Sequence, residues 1–152
     1  MEKLHLYLVR HCESLGNREN IFQGQLDLDI SATGEKQLAL LTLRFRNIPI
    51  DAVYSSPLKR AYKTAEAVDL YHSLPIIKLP ELMEVDVGAL SGMKLDKAFA
   101  DYPVFAEKWQ NSPQNCIFPE GETTAEVYDR AKKALARVKA DCMGKTAVIT
   151  SH

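Results

Sequence analysis

Apolar runs and amphipathic segments alternate along the 152 residues of the chain. Four short apolar runs, at 4–9, 52–55, 75–79 and 145–150, have the length and the bounding turn residues of β-strands. The first run is almost wholly apolar, which is typical of a strand that is covered on both faces. The pattern therefore predicts four strands, of which the first is buried.

Helical spacing of apolar residues appears in the segments between these runs. From Glu35 to Phe45 apolar residues recur every three or four positions, which predicts an amphipathic helix. Ser56 and Pro57 suit an N-cap followed by proline at the first helical position. We therefore expect the next helix to cover about 58–71.

The second half of the chain predicts three more helices. The segments 94–102 and 104–111 have helical patterns and are separated by Pro103. The spacing of Thr123 to Glu126 fits a capping box, which opens a last helix that ends before Gly144. Because strands and helices alternate without a linker or repeat, the expected fold is α/β with a mainly parallel sheet in a single domain.

The charge balance excludes several classes of partner. Nineteen basic and twenty acidic residues leave a formal net charge of -1, so no bulk field directs the chain to nucleic acid or to an anionic membrane. No apolar run approaches the roughly 20 residues of a membrane-spanning helix, and the N-terminus lacks the pattern of a secretory signal. Cys12, Cys116 and Cys142 have neither disulfide nor zinc spacing. We expect free thiols, a cytoplasmic location and anion recognition by local placement of charge.

Basic and imidazole side chains follow three of the predicted strands. Arg10 and His11 come directly after the first strand, Arg60 lies in the first turn of the helix after the second, and His152 follows the last. The carboxyl ends of parallel strands meet at one sheet edge, where α/β folds bind ligands. Two guanidiniums and two imidazoles there indicate a dianion site for a phosphoryl group, and the helix after Ser56 would add the positive end of its dipole. Taken alone, the Arg10-His11 pair is more typical of a surface arginine and a satisfied histidine in a loop.

Seven short segments, in this order along the chain, form a further pattern. They are Leu8 to Asn17, Phe22 to Asp27, Ser31 to Gly34, Ser55 to Ala61 with Thr64-Ala65, Leu82 to Glu84 with Gly88 and Gly92, Gly121 to Thr123, and Ser151-His152. Together they resemble the histidine phosphatase superfamily, also called phosphoglycerate mutase-like, over the whole chain. The resemblance implies a three-layer α/β/α sandwich and a reaction on phosphomonoesters.

The resemblance implies a chemical role for each residue at the strand ends. His11 would attack phosphorus and form a phosphohistidine that water then hydrolyses, which requires a neutral imidazole. Arg10, Arg60 and His152 would hold the non-bridging oxygens and stabilise the charge that develops on them. Because guanidiniums supply that charge, no metal and no cofactor is expected.

The resemblance also implies substrate contacts and a proton donor. Asn17 matches a family position that donates to the phosphate, and Gln23-Gly24 matches a position near the leaving portion of the substrate. Glu84 matches the acid that protonates the departing alkoxide and later deprotonates the attacking water. A solvated acidic loop is the alternative for Glu84 and for its two acidic neighbours, Glu81 and Asp86.

The length of the segment between Gly92 and Gly121 favours one branch of the family. Mutases carry a longer insertion there, with paired arginines that grip the substrate carboxylate, whereas this chain has Lys108 beside Trp109. We therefore expect a metal-independent phosphomonoesterase that acts on a small metabolite such as a sugar phosphate, phosphoglycerate or ribazole phosphate. A cofactor-dependent phosphoglycerate mutase and a catalytically degenerate phosphate-binding module are the alternatives.

Other residues near the predicted site have two interpretations. Cys12 stands where the family usually has glycine or alanine, and a small residue tolerated beside the nucleophile is favoured over a redox role. Phe105, Trp109 and Phe118 either line the leaving-group pocket or pack in the core.

Family members normally continue past the second histidine with a helix and a further strand, so we expect more chain beyond His152. No oligomeric state is predicted.

Overall fold

A four-stranded parallel sheet forms the centre of the computed structural model, which describes residues 2–152. The strands are β1 (His5–Arg10), β2 (Ala52–Ser55), β3 (Ile76–Lys78) and β4 (Thr146–Ser151), and they lie in the order β1-β4-β2-β3. Arg10 is in register with Ser151, and Ser55 with Thr150. The carboxyl ends of β1, β4 and β2 are therefore adjacent, as the alternating pattern predicts.

Six α-helices connect the strands within the described part of the chain. They are α1 (Leu15–Arg18), α2 (Ala32–Phe45), α3 (Lys59–Asp69), α4 (Leu95–Asp101), α5 (Pro103–Asn111) and α6 (Thr124–Cys142). The expected capping box at Thr123 and Glu126 is present at the start of α6. Pro103 is the first residue of α5, where its missing N–H costs nothing. None of the helices in residues 2–152 has the length and apolar character needed to cross a membrane.

Helices cover both faces of the sheet, which confirms the three-layer α/β/α architecture. Successive strand residues point to opposite faces. On one face Val53 and Val148 pack against residues of α2 and α3, namely Phe45, Ala65 and Val68. On the other face Tyr54, Ala147 and Ile149 pack against α6 through Ala134, Val138 and Cys142.

The prediction that the first strand is covered on both faces is wrong. β1 lies at the edge of the sheet and pairs with β4 alone among the described residues. Leu8 is 74% exposed and Tyr7 is 38% exposed. An apolar run shows that a strand tends to be buried, but the sequence pattern does not show whether neighbours are present to cover it.

α3 begins at Lys59, so the predicted start at Ser56 and Pro57 is also wrong. The Ser56 N–H donates to Thr150 O at 3.0 Å and so extends the ladder between β2 and β4, which delays the helix until Leu58 is the N-cap. The Lys59 N–H then donates to Asp27 Oδ1 at 2.6 Å. The positive end of α3 is therefore met by a carboxylate from a distant loop.

A third apolar cluster lies beside the sheet and supports the loops at its carboxyl edge. It joins the 81–92 segment to α4 and α5, and its buried members are Phe22, Val87, Leu90, Ala98, Phe105, Cys116 and Phe118. Two one-turn 3-10 helices, Pro80–Leu82 and Gly88–Leu90, lie in or next to that segment, which the sequence predicts as an irregular loop. Phe22, Val87 and Phe118 of this cluster also line the cavity of the candidate site.

Candidate active site

Two histidines lie next to each other where β1 and β4 end. The His11 N–H donates to Ser151 O at 2.9 Å, so the parallel ladder continues one residue beyond β1. The ring centroids of His11 and His152 are 5.1 Å apart. The structure thus brings together two residues that are separated by 141 positions in the sequence, because both follow neighbouring parallel strands.

The surroundings of His11 keep its imidazole neutral and orient it. His11 is buried, and its Nδ1 lies 2.6 Å from Cys12 O. A neutral ring with the proton on Nδ1 donates to this carbonyl and leaves the lone pair on Nε2. Burial lowers the pKa of His11 to about 4, and the charges of Arg60 and Arg10 act in the same direction. At neutral pH the Nε2 atom can therefore act as a nucleophile.

His152 has one satisfied and one unsatisfied ring nitrogen. Its Nε2 lies 2.9 Å from Ser56 Oγ, whereas its Nδ1 is buried without a hydrogen-bond partner. Burial lowers the pKa of His152 to about 2, with a further contribution from Arg60. If the Ser56 hydroxyl donates to Nε2, the ring proton lies on Nδ1, which suits hydrogen bonding to an oxyanion.

Arg60 is almost completely buried and holds the loop that follows α1. Its side chain is 1% exposed, and it donates from Nη1 to Leu26 O at 2.9 Å and from Nη2 to Gly24 O at 2.8 Å. Its Nε is buried and has no partner. Burial lowers the pKa of Arg60, and the carboxylates of Glu84 and Asp27 oppose that shift. Arg60 therefore has a structural role in addition to the phosphate contact that the sequence predicts.

A cavity of about 210 Å³ lies at the carboxyl edge of the sheet and collects most of the predicted site residues. Its polar lining consists of Arg10, His11, Asn17, Gln23, Gly24 and Glu84, and its apolar lining of Ile21, Phe22, Val85, Val87, Leu95, Trp109 and Phe118. Arg60 and His152 do not line it, and His152 instead borders a groove on the α6 side of β1. The structure thus gathers six predicted residues in one cavity and places the other two beside it.

Ser14 organises the amide side chains of the cavity, a role that the sequence does not indicate. The Ser14 N–H donates to Asn17 Oδ1 at 3.0 Å, and Ser14 Oγ donates to Gln23 Oε1 at 2.6 Å. With their oxygens engaged, both amides keep their NH₂ groups for another acceptor. Ser14 is the N-cap of α1, and the capping box with Asn17 is the one local signal that could have revealed this.

Of the three acids in the 81–86 segment, Glu84 alone lines the cavity. Its Oε1 accepts from the Val85 N–H at 2.9 Å. The Asp86 carboxylate accepts from the Gly88 N–H at 2.9 Å, a contact that closes the local turn. Glu84 thus lies where the sequence predicts the proton donor, whereas the Asp86 carboxylate closes a turn.

The structure favours a packing role for Cys12. The residue is buried, and its N–H donates to Thr64 Oγ1 at 3.1 Å, which fixes the backbone next to His11. Burial raises the pKa of the Cys12 thiol, so the reactive thiolate is suppressed.

Among the aromatic residues, Trp109 and Phe118 line the cavity, whereas Phe105 belongs only to the apolar cluster beside it.

Comparison with known proteins gives one consistent relationship. Residues 6–152 match the model of the histidine phosphatase superfamily, branch 1. Phosphoserine phosphatase 1 of Hydrogenobacter thermophilus is 39% identical over 147 residues, which is 97% of this chain and 70% of that protein. The similarity to this relative thus extends across nearly all of the present chain.

Solved structures agree with the sequence comparison. YhfR of Bacillus stearothermophilus superposes with a TM-score of 0.92 at 28% identity, covering 98% of this chain and 74% of that one. A putative alpha-ribazole-5'-P phosphatase of Escherichia coli superposes with a TM-score of 0.88 at 25% identity, covering 99% and 74%. The chain belongs to the histidine phosphatase superfamily.

Proposed function

We propose that the protein is a phosphatase of small phosphorylated metabolites that works through a phosphohistidine on His11. The observation that carries the proposal is the state of His11, a neutral buried imidazole whose Nδ1 is held by the Cys12 carbonyl and which lines a cavity together with a cation and an acid. Membership of the family and the phosphatase names of its relatives support this activity.

In the first step, the lone pair on His11 Nε2 attacks phosphorus in line with the departing oxygen. The N–P bond forms while the bond from phosphorus to the leaving oxygen breaks, and Glu84 gives that oxygen its proton. Arg10, Asn17 and the buried Arg60 and His152 stabilise the three non-bridging oxygens. The partnerless Arg60 Nε and His152 Nδ1 support this role, because a buried polar atom normally has a partner.

In the second step, water attacks the phosphohistidine. The Glu84 carboxylate takes a proton from the water, the new P–O bond forms, and the N–P bond breaks with its electron pair returning to Nε2. Inorganic phosphate leaves, and the neutral imidazole and the protonated Glu84 are restored. The same acid therefore serves both steps, which fits its place in the cavity with His11.

The cavity supports a small phosphomonoester as the substrate. Relatives and structural neighbours are named for phosphoserine, alpha-ribazole phosphate and glucosyl-3-phosphoglycerate, each of which carries a phosphate ester on an alcohol oxygen. A volume of about 210 Å³ suits a compound of the smaller kind. The near-zero net charge speaks against nucleic acid as the partner, and the three free cysteines support a reducing, cytoplasmic location.

A mutase activity on phosphoglycerate finds less support in the cavity. The substrate carboxylate would need a cation besides those that hold the phosphate, yet Arg10 is the single cationic residue in the lining that the described residues provide. Lys108, the residue considered for that task, borders a separate pocket with Tyr102 and Pro119. The phosphatase assignment therefore agrees better with the charges around the cavity.

A product assay tests the proposal against both alternatives. The purified protein is incubated with 3-phosphoglycerate, phosphoserine and p-nitrophenyl phosphate, and free phosphate and isomerised phosphoglycerate are measured together. We expect free phosphate from at least one monoester, with none released by His11→Ala. Isomerised phosphoglycerate with little free phosphate would identify a mutase. Phosphate binding without turnover of any ester would identify a degenerate module.

A further inference from the structure

Arg130 of α6 donates three hydrogen bonds to the loop that carries Glu84 and two to Glu122. Its Nη1 donates to the carbonyls of Glu81 and Met83, and its Nη2 donates to Glu84 O at 2.9 Å. The remaining donors form a two-point contact with Glu122, from Nε to Oε1 at 2.8 Å and from Nη2 to Oε2 at 2.9 Å. All five N–H groups of the side chain are thus engaged within the protein.

Glu122 contacts the same loop on the C-terminal side of Glu84. Its Oε2 also accepts from the Asp86 N–H at 2.8 Å, and its own N–H donates to Asp86 O at 2.8 Å. The ion pair with Arg130 holds the pKa of Glu122 below its usual range, so the carboxylate stays charged. Both side chains are largely buried, 17% and 23% exposed, which strengthens a bidentate pair relative to one on the surface.

Few other hydrogen bonds define the backbone next to Glu84. The segment between the two 3-10 turns contains neither a strand nor an α-helix. Gln25 Nε2 donates to Glu84 O at 3.3 Å, and further away Ser151 Oγ donates to Leu82 O at 2.8 Å. A proton donor must lie within hydrogen-bond reach of the leaving oxygen, and a misplacement of about 1 Å can cost roughly 100-fold in rate. A fixed backbone on both sides of residue 84 meets that requirement.

We propose that Arg130, braced by Glu122, is a positioning residue that holds the Glu84 carboxylate against the cavity for proton transfer. Arg130 does not line the cavity and has no donor left for a substrate. Its effect on the reaction therefore passes through the loop backbone. The inference rests on the proposed function, in which Glu84 is the proton donor.

The test uses the dependence on the leaving group. Departure of p-nitrophenolate needs little protonation, whereas departure of an alkoxide such as that of glycerol phosphate needs an acid. The rate of the first step is measured by rapid quench with both substrates for wild type, Glu84→Gln, Arg130→Met and the double variant. We expect Arg130→Met to slow the alkyl ester about 10- to 100-fold more than the aryl ester, in the pattern of Glu84→Gln, and the double variant to be no slower than Glu84→Gln.

Control variants separate positioning from loss of structure. Lys133→Met removes an exposed cation from the same helix and is expected to change neither rate. Glu122→Gln keeps an acceptor for the guanidinium but removes the charge, and we expect a smaller effect with the same preference for the aryl ester. If Arg130→Met does not fold, Glu122→Gln and Arg130→Lys carry the same comparison.

The outcomes distinguish the two proposals from each other. Equal loss on both esters in Arg130→Met and Glu122→Gln, with selective loss in Glu84→Gln, would overturn the positioning role and leave the proposed function intact. Additive losses in the double variant would also contradict it, because residues that act through one carboxylate are not additive. If Glu84→Gln itself shows no selectivity, Glu84 is not the proton donor and the proposed function must change.

Discussion

The two ends of the cavity are held in place by different means. At the phosphate end, His11 and Ser56 continue the backbone ladders of β1 and β2 with β4 by one residue each. At the acid end, the 81–86 backbone is held by side-chain donors from Arg130 and by contacts with Glu122. The phosphate end therefore derives its geometry from the sheet, and the acid end from a few long-range hydrogen bonds.

The difference has an energetic meaning. His11 and Ser56 are hydrogen-bonded into the ladders with β4, so they are displaced only when the sheet itself is disturbed. A loop held mainly by the side chains of Arg130 and Glu122 can shift while the rest of the fold persists. Damage at the phosphate end is thus expected to affect stability and every substrate, and damage at the acid end to affect proton transfer selectively.

The largest expected effect is loss of the buried cation at the phosphate end. Arg60→Met leaves Gly24 O and Leu26 O without their donor and should lower the free energy of unfolding by about 2–4 kcal/mol, measured by urea denaturation followed by circular dichroism. Lys63→Met, on the same helix, removes a surface ion pair with Asp29 and should cost less than about 1 kcal/mol. Equal costs for the two variants would show that Arg60 does not anchor the loop.

A matched pair of glycine substitutions compares the two ends directly. A Cβ on Gly121 would lie 2.2 Å from Asp86 O, and one on Gly16 would lie 2.3 Å from Gln23 Cδ. Gly121→Ala must displace the acid loop and should slow the alkyl ester about 10-fold more than the aryl ester. Gly16→Ala displaces a cavity amide and should raise KM for both esters alike. The same leaving-group preference in both variants would contradict the division into two ends.

A smaller effect is expected in the titration of His11. Its neutral form is favoured by burial, so the ring nitrogens, followed by ¹⁵N NMR with His11→Gln for assignment, should titrate at about pH 4. The direction of the pH effect on folding stability follows, because the pKa of His11 in the folded state lies below the unfolded value of about 6.5. The stability that the neutral His11 contributes is complete above pH 6.5 and is lost as the pH falls from 6.5 towards 4. A midpoint near 6.5 would show that the imidazole is not desolvated.

The difference between the two ends also explains what the sequence could predict. Arg10, His11 and His152 follow apolar runs, and periodicity together with the rule for parallel sheets brings them to one edge. The contact between Arg130 and the loop spans nearly fifty positions and has no periodic signal, so it emerges only from the tertiary structure. Ser56 illustrates the limit within the predictable part, because its local signal indicates an N-cap whereas the ladder to Thr150 prevails.

The exposure of β1 marks a second limit. Local apolarity indicates which residues favour burial, but the neighbours that would bury them are set by topology. Leu8 therefore remains exposed despite lying in one of the most apolar runs of the chain. The strand ends of this fold follow from the sequence pattern, whereas the burial of an edge strand depends on the order of strands in the sheet.

The most direct test of the account is capture of the phosphoryl group on His11. Wild type, His11→Ala and the control His5→Gln are mixed with an aryl phosphate, quenched in alkali, which preserves phosphohistidine, and digested for mass spectrometry. We expect an alkali-stable, acid-labile phosphoryl group on the peptide that contains His11 in wild type and in His5→Gln, and none in His11→Ala. Equal labelling of all three proteins, or no labelling of a wild-type preparation that turns over, would contradict the assignment of His11 as the nucleophile.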